Sequence, residues 1–176
     1  SHRFKKKCKN VLKQKRGGGY WIWKPAVVKT KLDEINDNEF LVYLDAGCKI
    51  NITENSTKRF YEYIDLLNMD VNNTGIISFE NGYKERNWCI QEIFDYFKVN
   101  IKSKIATSQQ IVGNTLIIKK NEQSIKQVNE WYNMAITKPL LFTDHYNKTN
   151  QQPYLKDNRH DQAIFSIIRK LNNPIM

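Results

Sequence analysis

The chain has 176 residues, 40% of them hydrophobic and 12% aromatic, with 28 basic and 18 acidic side chains and a formal net charge of +10. That length and apolar content predict one domain, residues 1–176, with a real core. No run approaches the roughly 20 apolar residues that span a bilayer, and basic Ser1–Lys9 lacks the apolar segment that would make it a signal peptide, so the expectation is a soluble, cytoplasmic chain.

The charge is local. Nine basic residues fall in positions 1–24, which hold no Asp or Glu, and the remaining 19 nearly balance the 18 acids. Such a stripe suits a solvated helix face, an anionic membrane, phosphates or nucleic acid. Cys8, Cys48 and Cys89 are odd in number and far apart, with neither metal spacing nor a disulfide framework, which favours a reducing compartment.

Phe4, Cys8, Val11 and Leu12 predict a basic helix over Phe4–Gln14, stopped by Arg16-Gly-Gly-Gly19. Pro25 suits the first turn of a helix running to about Ile35. Phe40–Leu44 is an apolar run ending at Asp45 and Gly47, the pattern of a buried strand opening into a loop. Phe60, Ile64 and Leu67 follow helical spacing, Gly75–Phe79 reads as a strand, and Asn87 is placed to cap a helix bearing Ile90, Ile93, Phe94 and Phe97. Ile111–Ile118 reads as a strand, Ile125–Ala135 as a helix, Leu140–Thr143 as a short strand, and a last helix starts near His160. Alternating strands and helices predict α/β layers around a mainly parallel sheet. Ligands of such sheets sit beyond the carboxyl ends of the strands, where Asp45 falls.

Three segments carry candidate chemistry. In Arg16–Pro25 the glycines permit close backbone approach, Arg16 and Lys24 suit phosphates, and Tyr20, Trp21 and Trp23 suit a base or sugar; a tight turn feeding aromatic core residues is the plainer alternative. In Phe40–Cys48, Asp45 followed by Ala46 and Gly47 suits a hard divalent cation bridging a diphosphate, or else a carboxylate that merely caps a turn. In Arg159–Gln162, His160 suits a metal, and Asp161 and Gln162 suit sugar hydroxyls; simple capping of the last helix explains the same residues. Asp144-His145 is a weaker loop candidate. No hydrolase elbow, P-loop or Rossmann glycine fingerprint is present.

Taken in order, Arg16-Gly-Gly-Gly-Tyr-Trp-Ile-Trp-Lys-Pro25, Phe40-Leu-Val-Tyr-Leu-Asp-Ala-Gly-Cys48, Gln110–Lys119, Glu130-Trp131 and Arg159–Phe165 resemble GT-A-like nucleotide-sugar glycosyltransferases, as found among sequences from bacterial polysaccharide clusters and large DNA viruses. The resemblance covers about residues 10–171. It implies a Rossmann-like α/β fold, a mixed, mainly parallel sheet flanked by helices. It also implies transfer of a sugar from a nucleoside-diphosphate donor to a glycan or other hydroxyl acceptor, with a lean towards retention at the anomeric carbon. Arg16, Gly18, Gly19, Tyr20, Trp21, Lys24, Asp45, Ala46 and Gly47 would meet the donor. Asp45, Asp161 and Gln162 would serve catalysis, and Mn2+ or Mg2+ would be held by Asp45 and His160.

The pattern departs from the family twice. Gly47 stands where the second acid of the Asp-x-Asp element belongs, and the strand that precedes the basic helix in family members is not in these residues, so the expected sheet lacks its first nucleotide-binding strand. Both departures suit the rival reading of a degenerate module that binds sugar or nucleotide without turnover. A nucleic-acid binder using the basic N-terminal segment is disfavoured by the near-neutral remainder, and peripheral contact of that segment with a membrane is the other partner reading. Asp45 and Asp161 are expected to face one cleft, about 10 Å apart or less.

Overall fold

The computed structural model describes residues 2–176. Its helices are α1 (His2–Leu12), the short turn α2 (Gly17–Tyr20), α3 (Lys24–Glu34), α4 (Glu54–Asn68), α5 (Gln91–Phe97), α6 (Lys104–Thr107), α7 (Glu122–Thr137) and α8 (His160–Leu171). Its strands are β1 (Phe40–Leu44), β2 (Ile76–Ile77), β3 (Glu80–Lys84), β4 (Gln109–Ile111) and β5 (Thr115–Lys119). About 51% of the chain is helical. None of the described helices is long and apolar enough to cross a membrane.

The α/β class is as expected, but the mainly parallel sheet is not. The larger sheet has the order β1-β5-β2, and β5 runs antiparallel to both neighbours. The smaller sheet pairs β3 with β4, also antiparallel. β1 and β2 do point the same way, but β5 lies between them and takes the ladder bonds of both. Strand–helix alternation could not reveal that insertion. The Ile77–Ile175 bridge is a lone parallel contact.

The reading of Ile111–Ile118 as one strand is also corrected. Gly113 and Asn114 interrupt it, and the chain passes from β4 in one sheet to β5 in the other. Leu140–Thr143 is not a strand: Pro139 starts a 3-10 turn over Pro139–Phe142, which buries Phe142 and leaves Leu140 exposed. Ile90, rather than Asn87, precedes α5, and Asn87 closes a 3-10 turn over Glu85–Asn87.

β5 is apolar on both faces because it is covered on both. Leu116 and Ile118 enter the main core with α1, α3, α7 and α8, whereas Ile117 joins Leu67 of α4 and Ile77 in a smaller cluster. α7 starts with a capping box, in which Asn121 and Ser124 satisfy each other's backbone N–H groups. The Trp131 and Phe165 rings stack at 4.1 Å and bind α7 to α8. The Cys8 thiol donates to the Ala135 carbonyl at 3.3 Å, tying α1 to α7. All three cysteines are free.

Candidate functional site

Three separate stretches meet at the end of β1. The ladder closes when the Asp45 N–H donates to the Asn114 carbonyl at 2.9 Å, which sets Asp45 beside the loop between β4 and β5. Lys24 is the first residue of α3, held there by Pro25 at the start of the helix. Asp161 lies in the first turn of α8. The Lys24 ammonium contacts Asp45 Oδ1 at 3.1 Å and Asp161 Oδ2 at 3.0 Å, and it donates to the Gly113 carbonyl at 3.0 Å. The two carboxylate oxygens are therefore at most about 6 Å apart. Tyr43 adds a hydroxyl that donates to Asp45 Oδ1 at 2.7 Å.

Burial differs sharply among these groups. The side chains of Lys24 and Asp161 are 3% and 5% exposed, whereas that of Asp45 is 34% exposed. Asp45 is the face this cluster shows to solvent. Burial drives the Asp161 pKa up to about 6, against the pull of Lys24. Burial, then the Asp45 carboxylate, pushes the Tyr43 phenol up, so it stays a donor at neutral pH. The Lys24 ammonium is held inside the protein by one hydrogen bond, to Gly113, and two ion-pair contacts. It positions carboxylates and is not free to meet a diphosphate, as the sequence had suggested.

Gln162 is likewise committed. Its Oε1 accepts from the Gly113 N–H at 2.9 Å, and its Nε2 donates to Gln110 Oε1 at 2.6 Å. It holds the Gly113 loop, whose carbonyl takes Lys24, rather than offering its amide to a sugar. A Cβ on Gly113 would lie 3.0 Å from that of Gln162, so any larger residue would push the start of α8 back by a few tenths of an ångström. The network continues through Gln110 Nε2 to buried Glu85 at 2.7 Å, which also accepts from Ser166 and pairs with Lys170 at 2.8 Å.

A second cluster abuts the first because His160 and Asp161 are consecutive. His160 Nε2 lies 2.8 Å from Asp144 Oδ1, and Arg16 reaches Asp144 at 2.7 Å and Asp157 at 3.4 Å. Burial keeps the His160 pKa below its ordinary value, outweighing the pull of Asp144. Asp144 is held low: burial opposes ionisation, but the His160 and Arg16 contacts outweigh it. Neutral imidazole therefore donates its Nε2–H to an ionised carboxylate. Tyr20 and Trp21 pack on the His160 ring at 5.1 and 5.5 Å.

The glycine run works differently from the expectation. Gly17 through Trp21 all have positive φ, making a turn of left-handed helix. A Cβ on Gly17 would strike the Trp21 ring at 2.5 Å, and one on Gly19 would strike the backbone of Leu12 at 2.7 Å. The two glycines serve internal packing. Gly19 and Tyr20 are buried, which removes them from a donor surface, while exposed Gly18 and half-buried Trp21 remain on it. Trp23 is half-buried and donates to the Gly17 carbonyl at 3.0 Å. Gly19→Ala is expected to cost about 2 kcal/mol or more, and Gly18→Ala only the roughly 1 kcal/mol of left-handed strain. Thermal melts of both variants check this; equal losses would refute the packing role of Gly19.

The donor set does not fit a metal held jointly by Asp45 and His160. His160 is engaged with Asp144, and the Lys24 ammonium fills the space between Asp45 and Asp161. Among the described residues no group of three His, Cys, Asp or Glu side chains is placed to hold a metal ion. A separate groove of about 630 Å3, lined by Glu92, Leu140, Asp144, His145 and Asn147 among others, touches the second cluster through Asp144 but includes none of Lys24, Asp45 or Asp161.

Sequence reading missed Tyr43, Gly113 and Asp157 as members of the site, and ranked Asp144 too low. Tyr43 has a visible signal, since it lies two residues before Asp45 on one face of a strand. Gly113 and Asp157 have none, because their roles arise from contacts across the fold. Comparison of the chain with protein-family models, curated proteins and solved structures finds no match, so the geometry of these two clusters carries the functional argument.

Proposed function

We propose that the chain is a GT-A-like glycosyltransferase that takes a sugar from a nucleoside-diphosphate donor to a hydroxyl acceptor. The reading is carried by the convergence of Asp45 and Asp161 on Lys24 at the open end of β1, with Arg16 and Trp21 in the adjoining cluster. Asp45, Ala46 and Gly47 form the exposed rim, and Asp45 Oδ2 has no partner among the described residues. Arg16, 48% exposed in its side chain, supplies positive charge for the leaving diphosphate. Trp21 supplies a ring for the base or sugar. In the transfer, the bond from the anomeric carbon to the diphosphate oxygen breaks and the acceptor oxygen bonds to that carbon. The diphosphate keeps the electron pair and takes up the hydroxyl proton.

In this scheme Lys24 and Gln162 position Asp45 and the Gly113 loop, and Asp161 anchors Lys24. Product formation from a panel of nucleotide sugars, with calorimetric titration of nucleoside diphosphates with and without Mn2+, tests the reading. Neither binding nor turnover would overturn it. The internal pairing of both carboxylates with Lys24 favours one second reading, a degenerate module that binds the nucleotide or sugar without turnover. Binding without product would select that one.

Gly47 offers a direct probe of the missing acid. It is exposed, and a Cβ there meets nothing within 4 Å. Gly47→Asp is expected to fold normally and to bind Mn2+ roughly tenfold or more tighter than the parent, because added carboxylate charge raises affinity for hard cations. Titration followed by Mn2+ electron paramagnetic resonance checks it. Unchanged affinity would mean that Asp45 does not face the position of the second acid.

A further inference from the structure

We infer that α1 and the groove beside it form a docking surface for an anionic lipid bilayer, a conclusion independent of the transferase reading. α1 buries Phe4, Cys8 and Val11 on one side. Arg3, Lys5, Lys6, Lys7, Lys9 and Lys13 are all exposed. At 100° per residue, Lys6 and Lys9 fall on the arc opposite the buried side with Arg3 nearer its edge, Lys5 and Lys7 flank it, and Lys13 follows in the turn after the helix. None of these six is ion-paired with an acid among the described residues, whereas Lys29 and Lys31 of α3 are, with Asp33 and Glu34. The cationic face is therefore uncompensated.

Beside this face runs an apolar groove of about 340 Å3 between α1 and α3. Phe4, Leu12, Trp23, Ala26 and Val27 line it, with Lys5 and Lys31 also on its lining. Val27 is 43% exposed there. Cations next to an open apolar slot match a surface that offers anionic headgroups above acyl chains. Nucleic acid fits less well. The exposed cations are almost all lysine, point charges without the planar fork of arginine, and Trp23, the ring that lines the groove, is half-buried and tied to the Gly17 carbonyl, so it is a poor platform for stacked bases.

Each lysine near an anionic bilayer contributes about fivefold in affinity, so Lys6→Gln, Lys9→Gln and Lys13→Gln together should weaken binding on the order of a hundredfold. The test uses the full chain with vesicles of phosphatidylcholine alone and with vesicles carrying phosphatidylserine, read by co-sedimentation. Binding is expected only to the second set, falling with salt. Tryptophan fluorescence is expected to be quenched by lipids brominated on their acyl chains, because Trp23 lines the groove. Val27→Asp leaves the cations intact and should abolish that quenching. Circular dichroism melts of each variant confirm that it is folded. Equal binding to both vesicle types, no binding, quenching unaffected by Val27→Asp, or retention by a single-stranded RNA without vesicle binding would each overturn the inference.

Discussion

Lys24→Met is expected to destabilise the protein by about 3–5 kcal/mol, the loss typical when one partner of a buried ion pair is removed. The side chains left behind explain the size. Asp161 is only 4% exposed, and Lys24 lies 3.0 Å from its carboxylate. Methionine approximates the apolar stem of lysine but leaves Asp161 and the Gly113 carbonyl without the ammonium they share. The double variant Lys24→Met with Asp161→Asn should recover part of the loss, because no unpaired charge is then buried. Urea unfolding of the two single variants and the double variant at neutral pH measures the coupling. A loss below about 1 kcal/mol in Lys24→Met would show that the ammonium does not hold the site together.

The same pair sets a pH signature with a definite sign. The Asp161 pKa is raised from 3.8 unfolded to about 6 folded. The native state therefore binds this proton more tightly, and the penalty for burying the ionised carboxylate is complete above about pH 6. As pH falls from 6 towards 3.8 the penalty is relieved, so this group favours the folded state increasingly over that window. Asp144, held below 3.8 by His160 and Arg16, works the opposite way, and its contribution is lost only as pH falls through its lowered folded pKa. Asp161→Asn should flatten the stability profile between pH 6 and 4 relative to the parent.

Asp45→Asn is expected to lower transfer by about a hundredfold or more while changing the melting temperature little. A preorganised charge facing the reacting groups carries an effect of that order. The fold should survive because asparagine keeps the shape, its side-chain oxygen still accepts from Tyr43, and Lys24 retains Asp161 and the Gly113 carbonyl. Turnover of the donor that the parent uses best, measured beside thermal melts, separates the two roles. Activity near that of the parent would remove Asp45 from the mechanism. A collapse in stability with loss of activity would make it a structural partner of Lys24.

The sequence by itself determined those features that depend on neighbours along the chain. Apolar spacing marked α1, α4, α7 and α8, since a helix face repeats every three to four residues, and Pro25 marked the start of α3. The run Phe40–Leu44 ending at Asp45 marked a strand and its loop, and the order of charged and glycine-rich segments singled out Arg16, Lys24, Asp45 and Asp161. What the tertiary structure alone decided is how these meet. A ladder direction is a relation between strands, so nothing in Thr115–Lys119 tells that it runs between β1 and β2 and opposes both. The break at Gly113 looks like continuity because Ile111 and Val112 before it and Leu116, Ile117 and Ile118 after it are apolar. Lys24 looked like a free cation near glycines and aromatics. Only the approach of α8 to the end of β1 turns it into a buried ammonium shared by Asp45, Asp161 and Gly113, because burial and pairing belong to the packed fold and not to any one segment.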